Sequence, residues 1–173
     1  DAGIYSHRLI SGKWDTRKVI SLPFAHRCEI LSINGENHLF IASVSRYKEN
    51  PADWSNPGEL HHAKLDNIDS PIWPTDIILN NLTRNHGMSK AVFNGQEVIC
   101  ISGAEGIFAI RPGREDKWEI NQIFEHEVSE FAFFDLDNDG VDELAAIEPF
   151  HGNSLNIYKK INNTWEKQYS SPL

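Results

Sequence analysis

Three aspartates at alternate positions of the stretch FFDLDNDGVDEL, residues 133–144, are the pattern with the clearest chemical meaning in this sequence. Carboxylates at loop positions 1, 3 and 5, a glycine for the sharp turn, a carbonyl at position 7 and an acid at position 9 supply hard oxygen ligands that suit Ca²⁺. We therefore expect a structural calcium ion that stiffens the turn between two strands. Its ligands would be Asp135, Asp137, Asp139, the carbonyl of Val141, and Glu143.

An EF-hand is excluded, because position 12 of this loop is Ala146, which lies in a strand-like segment rather than a helix. The alternative to a calcium site is an aspartate-rich turn without metal. Three carboxylates this close together repel one another in the absence of a cation, which favours the calcium site.

Histidine begins three similar segments, 26–33, 86–93 and 126–133. If His26, His86 and His126 converge, their imidazoles could hold a second metal ion or act as acid and base near neutral pH. The alternative is a structural hydrogen bond that recurs because the fold needs it. His151 lies outside the repeat, so repetition does not explain it, and Arg27 could pair with an acidic substrate. These five residues are the candidate catalytic groups.

A polar insertion at residues 45–57 carries two aromatic residues, Trp54 and Tyr47. Aromatic side chains in a long polar loop can stack on a sugar or a peptide, which makes both residues candidate ligand contacts. A loop tryptophan that packs against its own unit is the alternative.

Short strand-like segments must position these candidates, because no segment shows a convincing helical period. Asn34-Gly35 and Asn94-Gly95, both strong hairpin signals, follow the first two histidine segments, and the aspartate loop follows the third. Second and third strands follow each turn, and a fourth begins near a tryptophan. We predict an all-β chain with two strands at 3–20 and four-stranded units at 26–83, 86–123 and 126–169.

Four antiparallel strands in units of roughly 40 to 60 residues are typical of β-propeller blades. DLDNDGVDEL, between two apolar strands, resembles the aspartate loop of FG-GAP/VCBS-type propeller repeats. The repeat covers nearly the whole chain, although this loop occurs once and the other units have Asn-Gly turns. The resemblance implies about three and a half blades here, completed by the remaining blades of a longer chain into a propeller of about seven.

Two functions from different classes follow from the resemblance. The first is a noncatalytic, calcium-stabilised propeller that binds a carbohydrate or protein ligand on its histidine-bearing face. The second is a metal-assisted sugar or polysaccharide lyase or dehydratase that acts at a central funnel. No nucleophile elbow, phosphate loop or HExxH motif favours a particular reaction, so the sequence leaves catalysis open.

Composition disfavours nucleic acid and membrane partners, and the two cysteines bear on the cellular compartment. A formal net charge of −9 disfavours nucleic acid, and no apolar run approaches the roughly 20 residues that a helical membrane span needs. No signal peptide is evident in the first residues. Cys28 and Cys100 lie in apolar stretches, which predicts two buried, unpaired thiols and slightly favours the cytoplasm. Two N-glycosylation triplets leave secretion open.

Overall fold

The computed structural model describes residues 2–115 and 117–173, and these ranges contain strands and turns but no helix. Accordingly, no helix in the described part of the chain has the length and apolarity needed to cross a membrane. The strands are β1 (Gly3–Ile10), β2 (Lys13–Ser21), β3 (Ala25–Ile33), β4 (Glu36–Ser43), β5 (Gly58–Lys64), β6 (Asp76–Leu82), β7 (Met88–Phe93), β8 (Gln96–Gly103), β9 (Gly106–Pro112), β10 (Trp118–Phe124), β11 (Glu130–Phe134), β12 (Glu143–Glu148), β13 (Ser154–Ile161) and β14 (Thr164–Pro172).

These strands form four antiparallel sheets in chain order, and each strand pairs with its sequence neighbours inside its sheet. The first sheet contains β1 and β2, the second β3 to β6, the third β7 to β10 and the fourth β11 to β14. The all-β prediction is confirmed, together with the order of two strands followed by three four-stranded units.

The hairpins form where the sequence supplies the required backbone. Asn34 and Gly35 both have positive φ, as do Asn94 and Gly95, which is the geometry of a two-residue type I′ turn. β4 and β8 are nearly continuous apolar runs, because each is buried on both faces between neighbouring sheets. Local turn chemistry and burial pattern therefore agree at these two hairpins.

Three apolar cores lie between successive sheets. The core between the first and second sheets includes Val19 and Ile41. Leu31, Phe40 and Ile99 contribute to the core between the second and third sheets. The core between the third and fourth sheets contains Val98, Cys100, Ala109, Phe124, Leu144 and Tyr158.

The recurring tryptophans pack against the preceding sheet. The Trp118 ring lies 4.9 Å from the Phe40 ring, and Trp165 Nε1 donates a hydrogen bond to the Ile123 carbonyl at 2.7 Å. Trp14, in the first sheet, has no preceding sheet among the described residues and is 71% exposed. In the later sheets the tryptophan thus packs against the sheet before it, whereas the corresponding face of the first sheet is exposed.

Cys100 is buried, but Cys28 is exposed, so the prediction of two buried thiols is wrong for Cys28. Cys28 and Ile30 alternate with Leu31 on β3 and point towards the side of the first sheet. That sheet has only two strands, which leave this face of β3 uncovered. Both thiols are unpaired, as expected.

Candidate functional site

Side chains from the second, third and fourth sheets meet at one end of the molecule. His26 lies at the start of β3, His86 lies just before β7, and His151 lies in the connection between β12 and β13. β7 neighbours both β3 and β11, so the first strands of these three sheets lie side by side. The structure therefore brings three of the four candidate histidines together.

The imidazole of His86 is the centre of this cluster. Its ring centroid lies 4.3 Å from that of His26, and its Nε2 lies 3.3 Å from Nε2 of His151. On the opposite edge, its Nδ1 lies 2.9 Å from a carboxylate oxygen of Glu130 and 3.3 Å from the carbonyl of Ser129. A proton on Nδ1 satisfies these acceptors and leaves the Nε2 lone pair facing His151.

Two ion pairs lie beside the histidines. Arg27 pairs with Glu130, which joins the second sheet directly to the fourth. Arg84, in the β6–β7 connection, pairs at 2.6 Å with Glu127, in the β10–β11 connection. These pairs place planar arrays of hydrogen-bond donors and acceptors around the imidazoles.

Trp54 reaches from the insertion in the second sheet to the fourth sheet. Its ring lies 4.9 Å from the ring of Phe150, which stacks on His151 at 4.1 Å. The Lys48 ammonium sits 3.0 Å from the centre of the indole and covers one face of it. Tyr47 is 58% exposed on the same insertion. Trp54 thus bridges two units, and the predicted stacking platform has one face already occupied.

Burial favours the neutral imidazole at two of these three histidines, His26 and His86. Burial is the main cause that lowers the pKa of His26, and the neighbouring His86 lowers it further. Burial also lowers the pKa of His86, although the charge of Glu130 opposes that shift. Neutral rings offer one donor and one acceptor each, and a lone pair that can bind a metal.

His126 does not join the other three histidines, contrary to the prediction. Its ring contacts among the described residues are with Phe124, at 5.0 Å, and Tyr158, at 6.5 Å. When the three segments are aligned by their histidines, Phe133 matches the last residues of β3 and β7. β11, however, ends one residue later, at Phe134. A slip of one residue turns a strand side chain to the other face, so His126 faces Phe124 and Tyr158 rather than His86.

The aspartate loop lies at the opposite end, between β11 and β12, and its turn is organised by its own carboxylates. Asp135 accepts hydrogen bonds from the backbone amides of Asp139, at 3.1 Å, and Gly140, at 2.9 Å. Glu143 accepts one from the amide of Leu136 at 2.8 Å. These bonds curl the backbone around the acidic side chains.

Three acidic side chains of this loop could hold a metal ion. Ligand atoms of Asp135, Asp137 and Glu143 all lie within 4.8 Å of one another. Glu143 is 3% exposed, and its Oε1 receives no hydrogen bond from the described residues. Asp139 lies outside this triad and accepts the Val141 amide at 2.9 Å. A buried carboxylate beside two more carboxylates is a donor set that a hard cation stabilises.

A lysine also reaches this loop, and sequence reasoning missed it. The Lys159 ammonium lies 2.5 Å from oxygens of both Asp137 and Asp139, and 3.3 Å from Oε1 of Glu143. Hydrogen bonding to Lys159 is the main cause that lowers the pKa of Asp139. The lysine therefore balances part of the negative charge of the loop from β13.

No protein-family model matches the chain, and no curated protein matches its sequence with significance.

Sequence reasoning also missed Arg84, Glu127 and Glu130. These residues lie in connections or at the start of β11, and their partners are distant in sequence.

Proposed function

We propose that this chain is a β-propeller segment whose histidine-bearing end binds a carbohydrate. The observation that carries the proposal is the contact of His26, His86 and His151, which come from three successive sheets, beside the rings of Phe150 and Trp54. A protein ligand is the alternative occupant of this end.

Contacts that skip the third sheet support a radial arrangement of the sheets. Arg27 pairs with Glu130, and Trp54 contacts Phe150, so side chains of the second and fourth sheets touch. Sheets stacked in parallel layers lie about 10 Å apart, so a flat stack would separate these two sheets by about 20 Å. Inner edges that converge on a common axis, as propeller blades do, explain the contacts.

The chemistry of this end suits sugar hydroxyls. Neutral imidazoles and arginine–glutamate pairs present donors and acceptors in fixed planes, and each hydroxyl can both donate and accept. The Phe150 and Trp54 rings supply apolar edges and faces for the carbon skeleton of a sugar. A few fixed polar groups beside aromatic rings are the usual composition of a ligand pocket.

We also propose that the aspartate loop binds Ca²⁺ through Asp135, Asp137 and Glu143. The buried Oε1 of Glu143 and the hard oxygen donors support this assignment. The ion would fix the β11–β12 turn at the end opposite the histidines, so its role would be structural. Lys159 contributes positive charge to the same loop.

Further blades would complete the first sheet. The edge of β1 away from β2 pairs with no strand among the described residues, and Trp14 and Leu9, which lie opposite each other across β1 and β2, are both exposed. In the later sheets the equivalent tryptophan packs against a preceding sheet. We propose that a preceding blade covers this face and that two inner strands pair with β1.

A metal-assisted sugar or polysaccharide lyase or dehydratase is the second candidate function. The 3.3 Å between Nε2 of His86 and Nε2 of His151 favours it, because two nitrogens about 2.0–2.1 Å from one tetrahedral ion lie about 3.3–3.4 Å apart. Glu130 would orient the His86 ring from its other edge. A bound ion would polarise the substrate carboxylate, and the neutral imidazole of His26 would accept the proton.

Binding to a panel of pectic, xylan, chitin and cellulose oligosaccharides tests the first function. We expect saturable binding of at least one, weakened at least about tenfold by His86→Ala or Arg84→Ala, since each removes polar contacts that a hydroxyl needs. His126→Ala is the matched control and should bind as the wild type does. Absence of binding across the panel, or equal binding by all variants, would contradict the proposal.

Ultraviolet absorbance distinguishes the enzyme from the binding protein. A lyase creates a carbon–carbon double bond next to the carboxylate of a uronic acid, and that product absorbs. Incubation of the protein and Zn²⁺ with oligogalacturonate should leave absorbance constant if the end only binds. A rise that His151→Ala abolishes would establish the second function instead.

A further inference from the structure

A cleft of about 880 Å³ between the second and third sheets contains a histidine pair that the proposed function does not use. His38, on β4, and His62, on β5, line it with their rings 5.1 Å apart and nearly parallel. Nδ1 of His38 lies 2.8 Å from Nε2 of His62. The cleft opens beside the β3–β4 turn, at the end of the molecule opposite His26 and His86.

These imidazoles depart from the repeat. By strand register, His38 corresponds to Val98 in the third sheet, and His62 corresponds to Ala109. Val98 and Ala109 are buried in the apolar core between the third and fourth sheets, beneath Trp165. Trp118 occupies the same place over the histidines, with its ring 4.8 Å from that of His62. The third sheet therefore has apolar side chains at the two positions where the second sheet has titratable ones.

A carboxylate lies near the pair, although its oxygens and the two nitrogens do not all come within 4.8 Å of one another. Asp76, the first residue of β6, lies directly opposite His62 in the β5–β6 ladder and lines the same cleft. Burial is the main cause that lowers the pKa of His62 and favours the neutral ring, His38 lowers that pKa further, and the charge of Asp76 opposes the shift. Opposed residues of neighbouring strands have side chains about 4.5–5.5 Å apart at Cβ, so rotation of the Asp76 side chain brings its carboxylate towards an ion held by the imidazoles.

The spacing of the nitrogens fits a particular class of ion. Two nitrogens about 2.0–2.1 Å from one metal, at right angles to each other, lie about 2.9 Å apart. The pair at 2.8 Å matches that separation. Right-angled nitrogen and oxygen donors are typical of Cu²⁺ and Ni²⁺ in tetragonal sites.

We propose that His38, His62 and Asp76 form a binding site for a divalent transition-metal ion of the Cu²⁺ or Ni²⁺ type. The two imidazoles supply nitrogen ligands, the Asp76 side chain rotates to supply an oxygen, and the cleft admits water to the remaining positions. This site is separate from both the histidine-bearing end and the aspartate loop, and it does not depend on the carbohydrate proposal.

Paramagnetic line broadening by Cu²⁺ tests the site directly, because it acts only on nuclei close to the ion. Up to three equivalents of Cu²⁺ are added to the ¹⁵N-labelled protein at pH 7, and the amide signals of Gly113, Trp118 and Ile77, which line the cleft, are followed. In the wild type we expect these signals to broaden. Asp76→Asn should require at least about tenfold more Cu²⁺ for the same effect.

The decisive variant carries the residues of the next unit, His38→Val with His62→Ala. It should leave the three signals sharp, and His126→Ala, which also removes a histidine, should broaden like the wild type. If the double variant fails to fold, His38→Gln with His62→Gln retains hydrogen-bonding groups and gives the same comparison. Sharp signals in the wild type, or equal broadening in the folded double variant, would overturn the proposal.

Discussion

Calcium binding by the aspartate loop leads to a quantitative prediction about stability. Asp135, Asp137 and Glu143 converge on one point, so replacing Asp137 with alanine removes one of the three carboxylates that define the site. An ion that binds only the folded state stabilises it by about 2.7 kcal/mol at a concentration 100 times its dissociation constant. For a chain of 173 residues, one kcal/mol shifts the melting temperature by roughly 2–4 °C. Calcium should therefore raise the wild-type midpoint by about 5–11 °C.

Differential scanning calorimetry in excess calcium and in excess chelator measures this shift. Asp137→Ala should lose most of it, because two carboxylates and a nearby ammonium bind a divalent cation weakly. Asp142→Ala is the matched control: it removes one acid from the same loop but no member of the converging triad. Equal melting temperatures of the wild type in calcium and chelator would refute the calcium site, and equal calcium shifts in both variants would refute this ligand set.

Two further predictions concern the cores and the buried histidines. Phe40→Ala should destabilise the fold by about 3–5 kcal/mol in urea unfolding, since Phe40 is fully buried between two sheets; a loss below about 1 kcal/mol would contradict that packing. Burial lowers the folded-state pKa of His26, His62 and His86, so the unfolded chain takes up protons at higher pH than the folded chain does. The stability from these residues is present above about pH 6.5 and is lost as pH falls towards the lowered values. The urea midpoint should therefore fall between pH 7.5 and pH 5.5, and His62→Gln should reduce that fall; an equal fall in the variant would contradict the assignment to His62.

Local signals were sufficient to predict the sheets. Asn34-Gly35 and Asn94-Gly95 specify tight hairpins within a few residues of sequence, and short apolar runs on either side specify the strands they connect. The converging acids of the aspartate loop were predictable for the same reason, because its ligands lie within nine consecutive residues.

Contacts between units were not predictable from these signals. The alignment of His126 with His26 depended on where β11 ends. The aspartate-rich connection after β11 gives no clear turn signal, and the strand ends one residue later than the alignment assumed. The partners of Arg27 and Arg84 are distant in sequence and depend on how the sheets converge. The exposure of Cys28 depends on a neighbouring sheet with only two strands. Each of these features is set by tertiary packing rather than by nearby sequence.

The central claim is that three sheets bring their histidines to one ligand-binding end. Imidazole resonances measured by NMR during titration with the tightest-binding oligosaccharide test it most directly. The account predicts that the ring signals of His26, His86 and His151 shift together along one saturation curve while those of His126 stay fixed. Shifts confined to His126, or no imidazole shift at saturation, would contradict it.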